Sequence, residues 1–497
     1  MTFASRFVKR RIVTNAQNRH RNVAIAIGVL AIALRFIDIN QPFVDGWSWR
    51  QADVAAIARN YYQNGFHFAW PQIDWAGNEP GYVGTEFPIL PFAAAHAYRI
   101  FGVHEWIGRS ESLLFFAVSL PFFFLIARRI FGERAALYAL TFYAFAPLGI
   151  MASRAFIPDM PSLSLGLIGL YFFLRWIDNQ TSSALLAASF AIAFALLIKL
   201  TTALIGAPLF FLACQKFRWN LFRQPSLWIF AAIALLPSAI WYWHAHMIAE
   251  RFYPYHFFGA GGFRIMNAAW YWKIAGQIAT TTLTSILCSL AILGLFTTRS
   301  TTAAGAFRWW LAAMMVFTFV AGWGNRHQWY QLPFVPIAAA FAGASCAWLE
   351  TNLRARRSKV FVVGIAIVFV GFALVLARVF YRASAADLRD LGLELKRTTP
   401  SGSLIVAANY GDPAVFYYAE RKGWHFLETD GIYNGHPSGD ADAIADLEQL
   451  RRHGATHLTF YSGTFWWLDY YKEFAHHLDQ TATLMEATPQ FRIYKLN

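Results

Sequence analysis

The stretch V-D-G-W-S-W-R-Q-A-D-V-A-A-I-A-R-N-Y-Y, residues 44–62, sets Asp45, Arg50 and Asp53 among tryptophans directly after a long apolar run. Farther along, Glu86 sits in G-T-E-F-P, Arg154 and Asp159 in S-R-A-F-I-P-D-M-P, and Lys199 in L-L-I-K-L-T-T. His244, His246, Glu250 and His256 share H-A-H-M-I-A-E-R-F-Y-P-Y-H, while N-R-H-Q-W-Y-Q-L-P supplies Arg326, His327 and Gln331. Carboxylates, cations and aromatics at the edges of apolar segments suit transfer of a glycosyl group from a lipid phosphate. Lys or Arg would hold the phosphate and stabilise the charge that grows on it as the glycosidic bond breaks. Phosphate leaves without a dedicated general acid, so the remaining need is a carboxylate that takes the acceptor hydroxyl proton and supports an oxocarbenium-like sugar. Trp47, Trp49, Trp70 and Trp75 could stack on that sugar, although tryptophan also concentrates at membrane interfaces.

Each residue also has a plainer reading. Asp45 and Asp53 could act as helix caps or dipole partners, and Asp159 could simply cap the helix it precedes. Arg154 and Lys199 could snorkel to head groups. A lone histidine near an interface is more often structural than a ligand. Convergence of these side chains at one face of a membrane separates the readings.

The composition demands such a membrane. Of 497 residues, 57% are hydrophobic and only 14% charged, against about 25% charged in soluble domains. The formal charge of +14 sits in short basic clusters between apolar runs, which marks topology rather than a nucleic-acid partner. Cys214, Cys288 and Cys346 lie singly in apolar segments and suggest neither a disulfide framework nor a thiolate metal site. The basic stretch from Arg6 to Arg21 precedes an apolar run without a small-residue cleavage site, so it reads as an uncleaved first helix. Spans of roughly 20 residues are predicted near 22–39, 108–130, 134–152, 160–177, 182–198, 200–215, 226–246, 276–297, 306–323, 330–349 and 359–379.

With a cytoplasmic N-terminus, the clusters R-F-V-K-R-R, A-R-R-I-F-G-E-R, Q-K-F-R-W-N-L-F-R, T-T-R-S-T-T and L-R-A-R-R-S-K fall inside. The alternation requires 86–102, broken by Pro88 and Pro91, to lie along the outer surface. The 40–107 loop, the 153–159 turn, the region of Lys199, the 247–275 loop, the 324–329 turn and the tail then share the outer face. Residues 1–382 are the membrane domain on this reading. From about 383 the composition gains charge and turn residues. S-L-I-V-A-A and T-H-L-T-F-Y read as strands, and D-A-I-A-D-L-E-Q-L-R-R and W-W-L-D-Y-Y-K-E-F-A-H-H-L as helices. Residues 383–497 are therefore predicted to form a small extracytoplasmic α/β domain with its own core. G-D-P-A-V-F-Y-Y-A-E-R-K-G-W reads as part of that core, with acceptor contact the alternative.

The motifs resemble the GT-C glycosyltransferases, in the superfamily of the protein O-mannosyltransferases and the lipid A aminoarabinose transferase. A-I-A-R-N-Y-Y-Q-N-G looks like that family's first outer-loop helix, and E-F-P-I-L-P-F its acid and proline segment. F-G-E-R-A-A-L-Y-A with S-R-A-F-I-P-D-M-P-S-L, then L-I-K-L-T-T-A-L and H-Q-W-Y-Q-L-P-F-V-P, follow in the family's order. The resemblance implies a GT-C fold of about eleven membrane helices and a polyprenyl-phosphate monosaccharide donor. The acceptor would be a lipid, glycan or protein, and the setting the bacterial cytoplasmic membrane. It also implies that Lys199, with Arg50 and Arg154, binds donor phosphate, and that Asp159 supports the catalytic pocket. Glu86, Trp49, His327 and Gln331 would line that pocket, and Glu86 with His256 is a candidate divalent-metal pair. The family's paired acids should open the first-loop helix, but this chain has Arg50 and Gln51 there. Asp53, one turn along, is favoured as the base, with Asp45 the alternative. The W-R-Q-A-D form is similar to a bacterial subgroup.

Overall fold

The computed structural model describes residues 3–257, 263–299, 301–353, 357–429, 432–433 and 435–497. Arg354 and Arg356 of L-R-A-R-R-S-K and Ser300 of T-T-R-S-T-T lie outside these residues.

Helix α1 (Phe3–Arg35) leads into the first loop, which carries α2 (Ser48–Asn64) and α3 (Ile89–Phe101). The bundle continues with α4 (Glu105–Phe131), α5 (Glu133–Phe145), α6 (Pro147–Ala152), α7 (Asp159–Asn179), α8 (Ser182–Ile198) and α9 (Gly206–Phe217). It closes with α10 (Pro225–Arg251), α11 (Ala268–Gln277), α12 (Ser285–Thr297), α13 (Thr302–Val320), α14 (Phe334–Asn352) and α15 (Ser358–Ala377). Each of the eleven predicted ranges falls on helix, yet among the described residues seven segments are long and apolar enough to cross a bilayer by themselves. An eighth is the pair α11–α12, bent by 104°. The other three fall short for local reasons: α1 ends at Arg35, Pro147 divides α5 from α6, and α8 is 17 residues long. The segment 86–102 forms α3, a 13-residue helix too short to span.

The C-terminal segment forms α16 (Ala386–Thr398), β1 (Leu404–Ala408), α17 (Ala414–Ala419), β2 (Lys422–His425), β3 (Glu428–Thr429) and β4 (Ile432–Tyr433). After these come α18 (Asp440–Arg452), β5 (His457–Tyr461), α19 (Trp466–Tyr470), α20 (Lys472–Thr481), β6 (Ala482–Ala487) and β7 (Phe491–Leu496). Five strands make one mixed sheet in the order β2-β1-β5-β7-β6, parallel on the β2-β1-β5 side and antiparallel beyond. The predicted helix at W-W-L-D-Y-Y-K-E-F is broken at Tyr471 into α19 and α20.

Alternation along the strands gives the sheet two different cores. Val406, Ala408, Leu458 and Phe460 face Trp467, Phe474 and Leu478 from the same segment. Ile405, Ala407 and Ile493 face the other way and pack with Ile57, Tyr61, Ile73 and Trp75 of the first loop. Helices α18, α19 and α20 of the same segment cover one sheet face, and α16 and α17 together with the first loop cover the other.

That loop also covers the edge strand β2, whose backbone would otherwise stand unpaired. Gly77 N–H donates to the Gly423 carbonyl at 2.7 Å, and Gly423 N–H to the Asp74 carbonyl at 3.0 Å. Asp74 is held in turn by Arg59 at 2.5 Å and Asn60 at 2.9 Å. Gly77 has φ +58°, and a Cβ there would lie 2.0 Å from the Trp424 ring. Gly77→Val is expected to lower the unfolding temperature in detergent and expose residues 383–497 to protease. The left-handed backbone alone costs an L-residue about 1–2 kcal/mol, before the clash with Trp424. An unchanged melting curve and digestion pattern would show that this seam does not hold the C-terminal segment.

Candidate functional site

The start of α2 is fixed by a fully buried acid. Asp45 accepts from the Trp47 N–H at 3.2 Å and from Gln51 Nε2 at 2.7 Å, and Arg109 pairs with it at 3.0 Å. Gln51 Oε1 accepts the Phe156 N–H at 3.1 Å, tying α2 to the 153–158 turn. Asp45 is thus a buried ion-pair partner that braces the turn before α2. Its oxygens are occupied and sealed from solvent, so the alternative of Asp45 as base is withdrawn.

The opposite side of α2 presents Arg50, one of whose terminal nitrogens donates to both Glu86 oxygens at 2.8 and 2.7 Å. Glu86 also accepts from Thr85 Oγ1 at 3.0 Å. Lys199 Nζ lies 3.7 Å from Glu86, 3.2 Å from Asp159, and 5.0 Å above the Tyr330 ring. Four chain segments converge here, and their backbones are tied. Phe87 N–H donates to the Leu197 carbonyl at 3.0 Å, pinning the Glu86 turn to the end of α8. Trp241 Nε1 donates to the Thr85 carbonyl at 3.0 Å, pinning the same turn to α10. Ser162 of α7 donates to the Ala195 carbonyl at 2.6 Å and bonds Thr202 Oγ1 at 2.6 Å, fixing the chain on either side of Lys199. Asp159 is both the first residue of α7, where an acid suits the helix dipole, and the partner of Lys199.

The resulting knot holds two cations and two carboxylates, all buried. Burial opposes ionisation of Glu86, but Arg50 and Lys199 outweigh it and hold the carboxyl below its ordinary value. Burial likewise opposes charge on Arg50, and Glu86 with Asp53 overcomes it. A divalent ion at Glu86 and His256 does not fit this arrangement, because two cations already clasp the carboxylate. Among the described residues no three His, Cys, Asp or Glu side chains converge on a metal position.

One turn along α2, Asp53 faces a cavity of about 630 Å³ also lined by Trp49, Trp75, His256, Arg326 and His327. Trp75 Nε1 donates to Asp53 at 2.9 Å. Burial pushes the Asp53 carboxyl up to about 7; Trp75 and Arg50 pull against it, while Asp412 and Asp74 add to it. Burial, with Arg50, lowers His256 to about 4, and burial, with Arg326, Lys199 and Arg50, lowers His327 to about 3. Both rings are neutral near pH 7. His327 stacks on Trp329 at 4.6 Å, and Trp49 leans on both rings at 5.5 Å.

Two expected members stand elsewhere. The Arg154 guanidinium donates to the carbonyls of Ile37 and Asp38 and lies 4.0 Å over Tyr381, bracing the end of α1 rather than joining Lys199. Gln331 bonds Gln277 at 2.8 Å and Thr282 at 2.6 Å, bracing the bend between α11 and α12. His244 bonds the Ala69 carbonyl, and His246 pairs with Glu250 on the exposed side of α10; both are structural.

The far wall of the cavity comes from the tail and was not anticipated as the principal reading. Asp412 accepts from Ser48 Oγ at 2.5 Å and from the Ala414 N–H at 2.9 Å, and burial pushes it to about 6. His425 Nδ1 bonds Asn409 Oδ1 at 2.9 Å and lies 5.0 Å from Trp75. The one local signal was the acid in G-D-P-A-V-F, which a helix cap explains equally well.

Residues 83–243 match the model of a family described as dolichyl-phosphate-mannose-protein mannosyltransferase. No curated protein matches the chain by sequence. Among solved structures the chain is similar to ArnT from Cupriavidus metallidurans in the apo state, with TM-score 0.65 and 16% identity over 95% of this chain and 97% of that one. The same protein bound to undecaprenyl phosphate gives 0.63 at 15% identity over the same shares. The oligosaccharyltransferase AglB from Archaeoglobus fulgidus, in complex with an inhibitory peptide and a dolichol-phosphate, gives 0.59 at 14% identity over 97% of this chain and 74% of that one. The fold is the GT-C fold that the motifs resemble.

Because the folded chain keeps a proton on Asp53 up to about pH 7, it binds one there that the unfolded chain releases near its ordinary value of about 4. The stability this group contributes is full below the lower value and is lost as pH rises through the upper one. Asp53→Asn, neutral at every pH, is expected to gain stability relative to the parent across that window and no further above it. Thermal unfolding at stepped pH reads this, and a pH-independent difference would mean that Asp53 ionises freely in the folded protein.

Proposed function

We propose that the chain is an integral-membrane glycosyltransferase that moves a sugar from a polyprenyl-phosphate monosaccharide to an acceptor hydroxyl on the extracytoplasmic side. The observation that carries this reading is the pairing of two buried cations, Lys199 and Arg50, with a cavity carboxylate, Asp53, one helical turn away. The fold shared with lipid-phosphate-bound neighbours supports it.

In this mechanism Glu86 and Asp159 hold the two cations in place before the donor arrives. The donor phosphate docks on Lys199 and Arg50. As the bond between the anomeric carbon and the phosphate oxygen breaks, its electron pair stays on the phosphate, where the cations stabilise it. The acceptor oxygen forms the new bond to the anomeric carbon, and its proton passes to Asp53. Neutral His256 and His327, with Trp49 and Trp75, shape the sugar's surroundings without adding charge.

The topology belongs to the same proposal: eleven crossings of a bacterial cytoplasmic membrane, the N-terminus inside, residues 1–382 as the membrane domain and 383–497 as the outer one. The dense basic clusters between helices support the orientation. A transporter of a lipid-linked glycan is the rival. Transport sites sit near the bilayer midplane between repeated halves, whereas here the charged knot joins the first loop to the ends of α7 and α8.

Lys199→Ala and Asp53→Asn are each expected to lower transfer of labelled sugar from polyprenyl phosphate by about 100-fold or more. Transfer by the parent is expected to rise with pH through about 7, where Asp53 loses its proton, and then to level off. Glycan export that survives both substitutions, with no transfer by the parent, would establish the transporter instead.

A further inference from the structure

The C-terminal wall of the cavity carries a run of aromatic rings. Tyr410 and Tyr461 line the cavity on that side, with their rings 6.2 Å apart and perpendicular. Tyr410 occupies a left-handed turn at φ +53°, uncommon for a bulky residue, and its ring is 40% exposed. Its hydroxyl accepts from Trp466 Nε1 at 2.7 Å. Trp466 is itself 38% exposed, and Tyr470, 6.0 Å farther out, is 72% exposed. Aromatic rings therefore continue from the Asp53 cavity to open solvent on α19.

Resting on the glycosyltransferase reading, we propose that the acceptor is an uncharged saccharide chain, whose reacting ring enters the Asp53 cavity while its outer rings lie on Tyr410, Trp466 and Tyr470. Three features favour this ligand. The cavity carries two carboxylates, Asp53 and Asp412, but no lysine, and Arg326 is its one permanent cation among the described lining residues. A phosphate-bearing acceptor would meet like charge there, whereas carboxylates accept sugar hydroxyls well. The edge strand β2 is covered by Asp74 and Gly77, so an extended peptide finds no strand there to pair with. About 630 Å³ lies within the range that holds a small molecule, so a longer acceptor must continue outside, where the exposed rings begin. Exposed aromatics that adjoin a site mark a binding surface. A flat ring with a polar tip suits the apolar face and hydroxyl rim of a pyranose.

The test is made in the cell of origin, with the gene deleted and restored as parent, Trp466→Ala, Tyr470→Ala or the double variant. Glycans, proteins and lipids of the cell surface are searched by mass spectrometry for the sugar that depends on the gene, and its point of attachment is determined. Cross-linking of a photoactivatable polyprenyl phosphate to the same variants reports the donor site separately. The sugar is expected on a saccharide hydroxyl, with its initial rate of appearance cut about tenfold in the double variant and cross-linking unchanged. Trp466→Phe is expected to restore most of the rate, which a merely polar role of the indole would not allow. Attachment to a peptide side chain or to a phosphate overturns the proposal, as does an undiminished rate in the double variant. A double variant that also loses cross-linking would assign the rings to the membrane surface and overturn it equally. No gene-dependent sugar anywhere, with no cross-linking of the parent, would instead defeat the glycosyltransferase reading itself.

Discussion

A buried cation in a largely apolar bundle requires a polar partner, and at Arg50 and Lys199 that partner is an acid. Arg50 and Lys199 are both withdrawn from solvent, where an unpaired charge would cost several kcal/mol. Glu86 and Asp159 answer them, and the four formal charges cancel. Because the four residues come from α2, the loop before α3, the start of α7 and the end of α8, neutrality can be reached only when those elements meet. The knot is therefore a constraint on assembly. In the proposed reaction the donor phosphate would meet two cations whose geometry is already fixed, so little reorganisation would be needed.

The second constraint is the partnership between the first loop and the C-terminal sheet. One sheet face is completed by α18, α19 and α20, the other by α16 and α17 together with α2 and the loop around Trp75. The cavity lies along this seam, and its two carboxylates come from opposite sides of it. Burial raises both Asp53 and Asp412 toward neutrality, while the Ser48 hydroxyl and the Ala414 N–H pull Asp412 back. The same seam silences His256 and His327 as acids, leaving Asp53 as the group of the α2 wall whose proton exchanges near neutral pH.

The separation of Arg154 from the site follows the same logic. Arg35 and Arg154 are fully buried near the end of α1, and each is satisfied chiefly by carbonyls or rings. Carbonyls solvate a guanidinium without neutralising it, which suits bracing of turns. Carboxylates do both, which suits the place where an anionic ligand must displace or share its partners. The two kinds of buried arginine thus have different duties, though both sit in similar apolar sequence.

Residue types and hydropathy were sufficient for the membrane class, the positions of the helical runs, and the strands at Leu404–Ala408 and His457–Tyr461. They also singled out Asp53, Glu86, Asp159 and Lys199, because an ionisable residue beside an apolar run is costly wherever the chain then folds. The strands β2, β6 and β7 were not distinguished, since their short, mixed sequences gain strand geometry only from neighbours in the sheet. Nor could sequence decide between Asp45 and Asp53, or move Arg154 and Gln331 out of the site. Those outcomes depend on Arg109 reaching Asp45 across 64 residues, on Asp38 turning beneath Arg154, and on Asp412 arriving 364 residues after Ser48. Local preference records what a residue tolerates; only tertiary packing decides which distant partner answers its charge.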